Sequence, residues 1–202
     1  MLLVVVLLLS LGSRVSTTPY EFPDLNSFPP MPVSEKNPVT KEGAELGRFL
    51  FYDPLLSSDS STSCSSCHNQ KNAFSDAPKQ FSVGVNNIST ARNAMPLFNL
   101  AWSPSFFYDG RISTVEDQIS HPINAKGEMN MDWQILVKRL NSSKFYSNKF
   151  KKLWGRKIDS TMVKNAIAQF LRTLISYQSK FDKATKGELQ FTKEEFNGFL
   201  LM

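Results

Sequence analysis

The chain has 202 residues, which is long enough for one domain with a substantial hydrophobic core. Hydrophobic residues make up 41% of it and charged residues 20%, which is the ordinary balance of a soluble globular protein. The net charge of +5 favours a partner with an acidic surface, but no basic run is interleaved with aromatic residues, so no nucleic-acid partner is expected.

An apolar run from Leu2 to Leu9 opens the chain. It is much shorter than the roughly 20 residues that a helix needs to span a bilayer. With small residues directly after it, the run is typical of the apolar core of a secretory signal peptide, although the usual positive residues before the core are missing. We therefore predict a signal peptide at residues 1–17, export of the protein, and no membrane span in the mature chain.

The next part of the chain divides into an extended arm and the start of a helical domain. Residues 18–39 hold six prolines, which remove hydrogen-bond donors and block helix formation, so an extended arm is predicted there. A helix fits residues 41–52, with Thr40 as its N-cap. Asp53-Pro54 ends that helix, because the residue before a proline disfavours helical geometry.

The rest of the sequence predicts helices separated by long loops. Residues 69–112 show no sustained periodicity, and long irregular segments of a compact domain are usually functional or wrapped around a ligand. Further helices fit 114–121, 132–140 and 161–179, and another begins at Thr192. The predicted N-caps of the helices at 114–121, 132–140 and 161–179 are Ser113, Asp132 and Ser160, respectively. Because no strand pattern of convincing length appears, the predicted class is mostly α with long loops.

Cys64, Cys67 and His68 form the sequence C-x-x-C-H in a chain that has only two cysteines and two histidines. This is the attachment signature of a c-type haem. Two thiols three residues apart on a helical turn can each add to one vinyl group at the porphyrin edge, and the adjacent histidine can then donate a nitrogen to the iron. The motif therefore predicts one covalently bound haem c in this chain.

Three other interpretations of the motif compete with haem attachment. A structural zinc site needs four ligands, but beyond the motif the chain offers only His121, and the adjacent Cys67 and His68 would have to share one tetrahedron. A thioredoxin-type redox pair would need a βαβ context, which the sequence lacks. A plain disulfide would suit an exported protein, but it would leave His68 without a role.

The second axial position of a haem iron decides between electron transfer and catalysis. A second strong ligand makes an electron carrier, whereas an open position permits peroxide or oxygen chemistry. His121 is a poor candidate for that ligand because it precedes Pro122 at a predicted helix end. Met95 lies before a proline in a loop and could be a ligand, although core packing is the commoner role of methionine. The same core role is expected for Met129, Met131 and Met162.

Six segments of the chain, one of which contains the haem motif, follow one another in this order: "LGRFLFYDPLLS", "CSSCHNQKNAFSD", "FSVGV", "ARNAMPLFNLA", "FFYDGR" and "EDQISHPINAKGEM". In this order they resemble the bacterial dihaem cytochrome c peroxidases and their MauG relatives, from about residue 38 to the end of the chain. The resemblance implies a cytochrome c-like domain at residues 40–190 that carries the peroxidatic haem, with His68 as the proximal iron ligand. It also implies a bacterial periplasmic location.

The resemblance implies roles for four residues outside the haem motif. Gln118 and Glu128 match the distal-pocket pair of the family, Tyr108 falls where the family usually has a tryptophan between two haems, and Asn93 matches a residue near a calcium ion at the domain junction. A carboxylate beside an open site can act as a general acid and base during peroxide cleavage, which suits Glu128. The Gln118 amide can orient peroxide or Glu128, and Tyr108 can carry an electron or a radical.

Two features depart from the pattern of the family. Many members have a histidine in the loop after the first haem motif that blocks the iron until reduction, and Val85 stands at that place here. We therefore expect an iron that is five-coordinate or water-bound without reductive activation. The chain also has no second C-x-x-C-H, and residues 191–202 look like the lead-in to the second haem domain. We expect that domain, and the electron entry route that it provides, to be missing from this chain.

Three functions follow as hypotheses. The first is reduction of hydrogen peroxide to water with electrons from a small cytochrome c or cupredoxin, incomplete without the second haem domain. The second is MauG-like oxidation of a protein side chain, which would also suit the missing histidine ligand. The third is electron transfer by a monohaem protein that performs no catalysis.

Overall fold

The structure is a computed structural model that describes residues 17–26, 28–32 and 34–202. The predicted signal peptide therefore lies, apart from its last residue, outside the described residues. Eight α-helices occur in the described ranges: α1 Lys41–Tyr52, α2 Cys64–Cys67, α3 Val115–Asn124, α4 Trp133–Ser142, α5 Lys144–Trp154, α6 Ser160–Arg172, α7 Lys180–Thr185 and α8 Lys193–Leu200. Across the same ranges β-structure is limited to isolated bridges, which confirms the predicted mostly α class. None of the helices described is long and apolar enough to cross a membrane.

Helix α1 begins and ends where the sequence predicts. The Thr40 hydroxyl oxygen accepts a hydrogen bond of 3.0 Å from the backbone nitrogen of Gly43, which caps the first turn. Asp53 ends the helix with extended backbone angles, as expected for a residue before proline. Leu46, Leu50 and Phe51 of this helix are almost completely buried, whereas Phe49 and Tyr52 are 41% and 39% exposed.

Helices α1 and α6 pack closely against each other and form the centre of the core. Gly47 makes this approach possible, because a Cβ atom at this position would lie 1.9 Å from the carbonyl oxygen of Ala166. Val163 and Ile167 of α6 are almost fully buried on the same face. Burial of such side chains stabilises the fold by roughly 1.5–3 kcal/mol each.

Helix α6 begins near its predicted start but ends at Arg172, well before the predicted end. Asp159, one residue before the predicted cap, accepts the hydrogen bond that caps the helix. At the other end, the carbonyl oxygen of Leu174 accepts a hydrogen bond of 2.9 Å from the backbone nitrogen of Asn99. The Asn99 side-chain oxygen in turn accepts one of 2.8 Å from the backbone nitrogen of Ser176. Pairing with this distant loop thus replaces the helical hydrogen bonds that the apolar pattern predicts.

Helix α3 is longer than the sequence pattern predicts, and α5 is a helix for which Sequence analysis gives no prediction. Thr114 caps α3 instead of Ser113, and the helix continues through Pro122. Ser143 is both the C-cap of α4 and the N-cap of α5, so a single residue forms the corner between the two helices. Helix α5 buries Tyr146 and Phe150 against the core.

The described residues of the proline-rich segment 18–39 lie outside helices and strands, and the two ends of this segment lie together. Pro19 and Thr40 form an isolated antiparallel bridge. Near the end of the arm, the buried side chain of Asn37 accepts a hydrogen bond of 2.8 Å from the Gln169 amide of α6. Asn37 also donates one of 2.8 Å to Glu116 of α3. Asn37 therefore connects this segment by hydrogen bonds to α3 and α6, which lie beside the haem motif.

Candidate haem site

The haem motif forms a single helical turn with its histidine directly after it. Cys64 and Cys67 begin and end helix α2, and their thiols are free. The Ser66 hydroxyl oxygen accepts a hydrogen bond of 3.1 Å from the backbone nitrogen of Ser63, which closes the start of the turn. Burial raises the pKa of Cys64 to about 12 and also raises the pKa of Cys67, so both thiols stay protonated at neutral pH.

The imidazole of His68 has a defined tautomer. Its Nδ1 lies 2.8 Å from the carbonyl oxygen of Phe74, and because a carbonyl can only accept, Nδ1 carries the proton and donates. The Nε2 lone pair is then available to a metal, and such second contacts commonly orient metal-binding histidines. Burial lowers the pKa of His68, while hydrogen bonds to the backbone of Phe74 and of Met95 partly oppose this shift. The neutral form, which is the form that binds metals, is thereby favoured.

An unusual turn presents the Phe74 carbonyl to His68. Ala73 and Phe74 both have left-handed backbone angles, with φ of 54° and 57°. Neither residue is glycine, and such angles are uncommon for side chains with a Cβ. The turn is closed by two hydrogen bonds, from Phe74 N to Asn69 O at 2.9 Å and from Asn69 N to Ser75 O at 3.0 Å. These hydrogen bonds hold the carbonyl oxygen in place over the histidine.

A pocket beside the motif holds the groups that a haem requires. Its cavity has a volume of about 60 Å³, and the space is about 590 Å³ when the open mouth is included. Its walls combine the motif with polar and apolar side chains of the core: Thr62, Ser63, Cys64, Cys67, His68, Leu97, Gln118, Ile119, Pro122, Ile123, Glu128, Met129, Ile167 and Leu171. Two thiols and an imidazole at one side of an otherwise mainly apolar pocket suit a large, flat, apolar porphyrin with a central iron. The chemistry of the lining residues, two free thiols beside an imidazole, therefore fits a covalently attached haem.

The pocket brings Gln118 and Glu128 together with the haem motif, although they are distant from it in sequence. Gln118 lies on α3, on the side that faces the pocket. Glu128 follows α3 in a turn that is closed by a hydrogen bond of 3.0 Å from its backbone nitrogen to the carbonyl oxygen of Ala125. Burial raises the pKa of Glu128, so its carboxyl group holds its proton to a higher pH than an exposed glutamate does.

Gly84 and Val85 hold the backbone of Glu128 in position. The backbone nitrogen of Val85 donates a hydrogen bond of 2.9 Å to the carbonyl oxygen of Glu128. Gly84 is required for this approach, since a Cβ there would lie 2.3 Å from the carbonyl oxygen of Gly127 and 2.5 Å from that of Glu128. The side chain of Val85 is buried and aliphatic, so it offers no ligand atom.

Tyr108 and Asn93 lie outside this pocket. Tyr108 is 58% exposed, and its hydroxyl group donates a hydrogen bond of 3.4 Å to the Asn93 side-chain oxygen. The Asn93 amide also donates to the carbonyl oxygen of Lys79 at 3.4 Å. Among the residues described, no cluster of three or more histidine, cysteine, aspartate or glutamate side chains could hold a metal ion. A calcium ion at Asn93 stays a prediction.

Of the other candidate axial ligands, Met129 alone is among the residues that line the pocket. His121 is exposed, and its ring lies edge-on to that of Phe107 at 5.0 Å. Met95 is 38% exposed. Met129 is buried in the pocket wall. Met131 and Met162 are core residues, as expected.

The sequence does not reveal the apolar wall of the pocket or the carbonyl that orients His68. The spacing of Ile167 and Leu171 predicts burial on one face of α6, but it does not indicate that this face meets a cofactor. The Phe74 carbonyl carries no signal, because every residue has one. Only the fold decides which carbonyl faces the imidazole.

A family model described as di-haem cytochrome c peroxidase matches residues 41–190. The chain belongs to the di-haem cytochrome c peroxidase family. Members of this family carry covalently bound haem c, which agrees with the thiols and imidazole of the pocket. The match includes the haem motif, Gln118 and Glu128.

Individual relatives support the assignment to the di-haem peroxidase family. The methylamine utilization protein MauG of Methylorubrum extorquens is 38% identical over 160 residues, which are 78% of this chain and 45% of that protein. The cytochrome c peroxidase Ccp of Escherichia coli is 30% identical over 181 residues, which are 89% of this chain and 39% of that protein. The chain spans about half the length of the curated relatives it matches.

A solved structure of a MauG-like protein associated with microbial copper homeostasis has the same fold. It superimposes with a TM-score of 0.82 at 30% identity, over 89% of this chain and 54% of that chain. The comparison confirms the cytochrome c-like architecture of the di-haem peroxidase family for this chain.

Proposed function

We propose that residues 40–190 form a peroxidatic haem domain that reduces hydrogen peroxide to water, as in the cytochrome c peroxidases. One observation carries this proposal: Gln118 and Glu128 line the same pocket as the C-x-x-C-H motif. A carboxyl group and an amide beside a metal-binding histidine are the groups that peroxide cleavage needs, whereas an electron carrier needs neither.

The chain's own residues would hold the cofactor and exclude water from it. Cys64 and Cys67 would bind the porphyrin as thioethers, and His68 would donate its Nε2 to the iron. A bound haem supplies an iron centre that can bind peroxide and exchange electrons. Ile119 and Ile123, from the pocket face of α3, cover that space with apolar surface.

Glu128 would move the proton that peroxide cleavage requires. Reduction of one hydrogen peroxide to two waters consumes two electrons and two protons, and one oxygen must gain a proton as the O–O bond breaks. A carboxyl group with a raised pKa can give up and regain a proton near neutral pH better than an exposed one. The Gln118 amide offers both a donor and an acceptor with which to orient peroxide or Glu128.

We propose the remaining parts of the system from the resemblance to the family. A small cytochrome c or cupredoxin in the periplasm would supply electrons, Tyr108 would relay them from a second haem, and Asn93 would lie near a calcium ion. Residues 191–202 would lead into the second haem domain. Helix α8 supports this, because it buries none of its residues and leaves Phe196 and Phe199 almost half exposed.

Oxidation of a protein side chain is a second candidate. The identity of 38% with the MauG protein favours it, as does the valine at position 85. Both candidates require an open iron and a reaction with peroxide. They differ in the substrate that is oxidised afterwards.

The substitution Glu128→Gln tests the peroxidatic site. Rapid mixing of the ferric, haem-loaded protein with hydrogen peroxide should show a reaction that is slower by about 10²–10⁴-fold in the variant, which is the usual contribution of a general acid and base. Glu188→Gln, at an exposed position near the end of the chain, is the matched control and should react like the wild type. A stable six-coordinate haem that ignores peroxide would instead identify an electron carrier.

A further inference from the structure

The hydroxyl group of Ser82 is buried without a hydrogen bond. The residue is only 1% exposed. Within the described ranges, Ser82 Oγ is the one buried side-chain nitrogen or oxygen atom that lacks a hydrogen-bond partner. A buried hydroxyl group that makes no hydrogen bond destabilises the fold, because it has given up its water and gained no other partner. Native proteins contain few such groups, so this one calls for an explanation.

A short hairpin at residues 82–90 fixes the place of this side chain. Val83 and Ser89 form an isolated antiparallel bridge across it. The backbone nitrogen of Ser82 donates a hydrogen bond of 3.1 Å to the Thr90 hydroxyl oxygen, and the Ser82 carbonyl oxygen accepts one of 2.8 Å from the Thr90 backbone nitrogen. Both backbone groups of Ser82 are thus satisfied, and its side-chain hydroxyl group is left over.

The Cys67 thiol of the haem motif is a neighbour of this hydroxyl group. Burial raises the pKa of the Cys67 thiol, and the Ser82 hydroxyl group, as its hydrogen-bonding neighbour, opposes this shift. The other groups that act on this thiol do so through their charges: Asp76, Glu128 and Lys79. The contact between the hydroxyl group and the thiol falls short of a hydrogen bond, so the hydroxyl group can still make one.

Attachment of a haem changes what the Cys67 sulfur can do in a hydrogen bond. When a thiol adds across a porphyrin vinyl group, the S–H bond and the π bond of the C=C pair break, and a C–S and a C–H bond form. The addition consumes neither an oxidant nor a reductant. The thiol has a proton to donate, whereas the thioether sulfur can only accept, and it accepts weakly. A hydroxyl group beside a thioether therefore becomes the donor of the pair.

The position of Ser82 favours the sulfur over the other polar groups of a haem. The propionates lie at the edge of the porphyrin opposite the vinyl groups, so a hydroxyl group beside Cys67 is at the vinyl edge. Cys67 lines the haem pocket, whereas Ser82 is not among the lining residues. The hydroxyl group thus reaches the sulfur without itself facing the haem space.

We propose that Ser82 is a positioning residue for the haem: in the haem-loaded protein its hydroxyl group donates a hydrogen bond to the Cys67 thioether sulfur and fixes that link. The Cys64 link has no such donor in this proposal, because the hydrogen-bonding group that acts on the Cys64 thiol is its own backbone. The two thioether links are therefore unequal, and Ser82 is the cause.

Loss of the hydroxyl group in two backgrounds tests the proposal. In the haem-loaded protein, Ser82→Ala should raise the equilibrium constant of unfolding in urea about 2–10-fold, which is the usual net effect of one hydrogen bond. In haem-loaded Cys67→Ala, where Cys64 and His68 hold the haem, the same change should leave this constant unchanged or lower it, since the hydroxyl group there has no sulfur to bind. Ser89→Ala, at an exposed position of the same hairpin, is the matched control and should be neutral in both backgrounds.

Two results of the unfolding experiment would overturn the proposal. If Ser82→Ala leaves the unfolding constant of the haem-loaded protein unchanged or lowers it, the hydroxyl group stays unpaired after attachment. If Ser82→Ala raises the constant equally in the presence and absence of the Cys67 sulfur, the hydroxyl group binds something else, such as a buried water.

A vibrational measurement on the folded, haem-loaded protein does not depend on stability. Resonance Raman spectra contain the carbon–sulfur stretching bands of the two thioether links. Because donation by Ser82 polarises one of the two sulfurs, Ser82→Ala should shift the band of the Cys67 link and leave that of the Cys64 link in place. Spectra identical to those of the wild type would contradict the hydrogen bond.

This inference goes beyond the proposed function and can fail separately from it. It requires a covalent link between haem and Cys67, but no reaction with peroxide. A haem that acidified acetone extracts from the denatured protein would overturn it outright. A haem-loaded protein that ignores peroxide would leave the unfolding and Raman results for Ser82→Ala fully interpretable, and would count only against the peroxidatic site.

Discussion

The backbone nitrogen of Val85 and the carbonyl oxygen of Glu128 are joined by a hydrogen bond of 2.9 Å. This contact ties the loop after the haem motif to the turn that presents the proposed proton-transfer group. A change in that loop should therefore act on Glu128 as directly as a change in the turn itself.

Gly84→Ala is expected to displace this turn. The added methyl group would meet two backbone carbonyl oxygens at 2.3 Å and 2.5 Å, and backbone atoms cannot rotate away. We expect a loss of stability of about 1–3 kcal/mol, as for other overpacked sites, and a slower reaction with peroxide. Urea denaturation and rapid mixing measure the two effects.

Gly198→Ala is the matched control for this substitution. Gly198 lies in α8, and no atom lies within 4 Å of the position that its Cβ would take. Alanine should be neutral or stabilise the helix by up to about 1 kcal/mol. Equal effects at positions 84 and 198 would contradict the role of close packing at Gly84.

The pH dependence of stability should report on Glu128. Burial raises its pKa in the folded protein, so between the unfolded and the folded pKa values the folded state binds more protons. The stability contributed by Glu128 is therefore highest at low pH and is lost as pH rises through the folded pKa. Glu128→Gln does not titrate, and its stability relative to the wild type should rise with pH from about 4.5 upward. A constant difference across this range in urea denaturation would contradict burial of the carboxyl group.

The ion pair between Arg172 and Glu116 should contribute strongly to stability. Two hydrogen bonds of 2.7 Å and 3.0 Å join the groups, whose side chains are only 10% and 18% exposed. Arg172→Leu would leave the Glu116 carboxylate largely buried without its partner, at a cost of about 3–5 kcal/mol. The comparison is Arg156→Ala, which removes an exposed partner of Asp159 and should cost no more than about 1 kcal/mol. Similar losses in thermal denaturation would be inconsistent with the buried pair.

The resting ferric protein should show a five-coordinate or water-bound haem. Val85 is buried and has no ligand atom, His121 is exposed, and neither supplies a second strong ligand from the pocket lining. Optical and electron paramagnetic resonance spectra of the protein, before any reduction, measure the coordination. A bis-histidine or histidine–methionine spectrum would disprove the prediction, and Met129→Leu would then test whether Met129 is the ligand.

The features that depend only on residues close together in the sequence could be predicted from the sequence alone. Cys64, Cys67 and His68 act together because one helical turn brings them to one side, whatever surrounds it. Helix α1 is correctly bounded because its cap and its terminating proline are both local. The resemblance to the family added Gln118 and Glu128, which spacing by itself could not connect with the motif.

The tertiary structure decided what depends on contacts between distant parts of the chain. Asn99 pairs with the chain after α6, which ends earlier than the apolar pattern predicts, and Ser143 forms the corner between α4 and α5. Only in the fold does a glycine at position 84 let two backbone segments meet at Glu128. Only there do the rings of Tyr52, Phe51 and Phe74 lie next to one another. Backbone propensity and capping act over a few residues and are written in the local sequence, whereas packing joins residues far apart and exists only once the chain has folded.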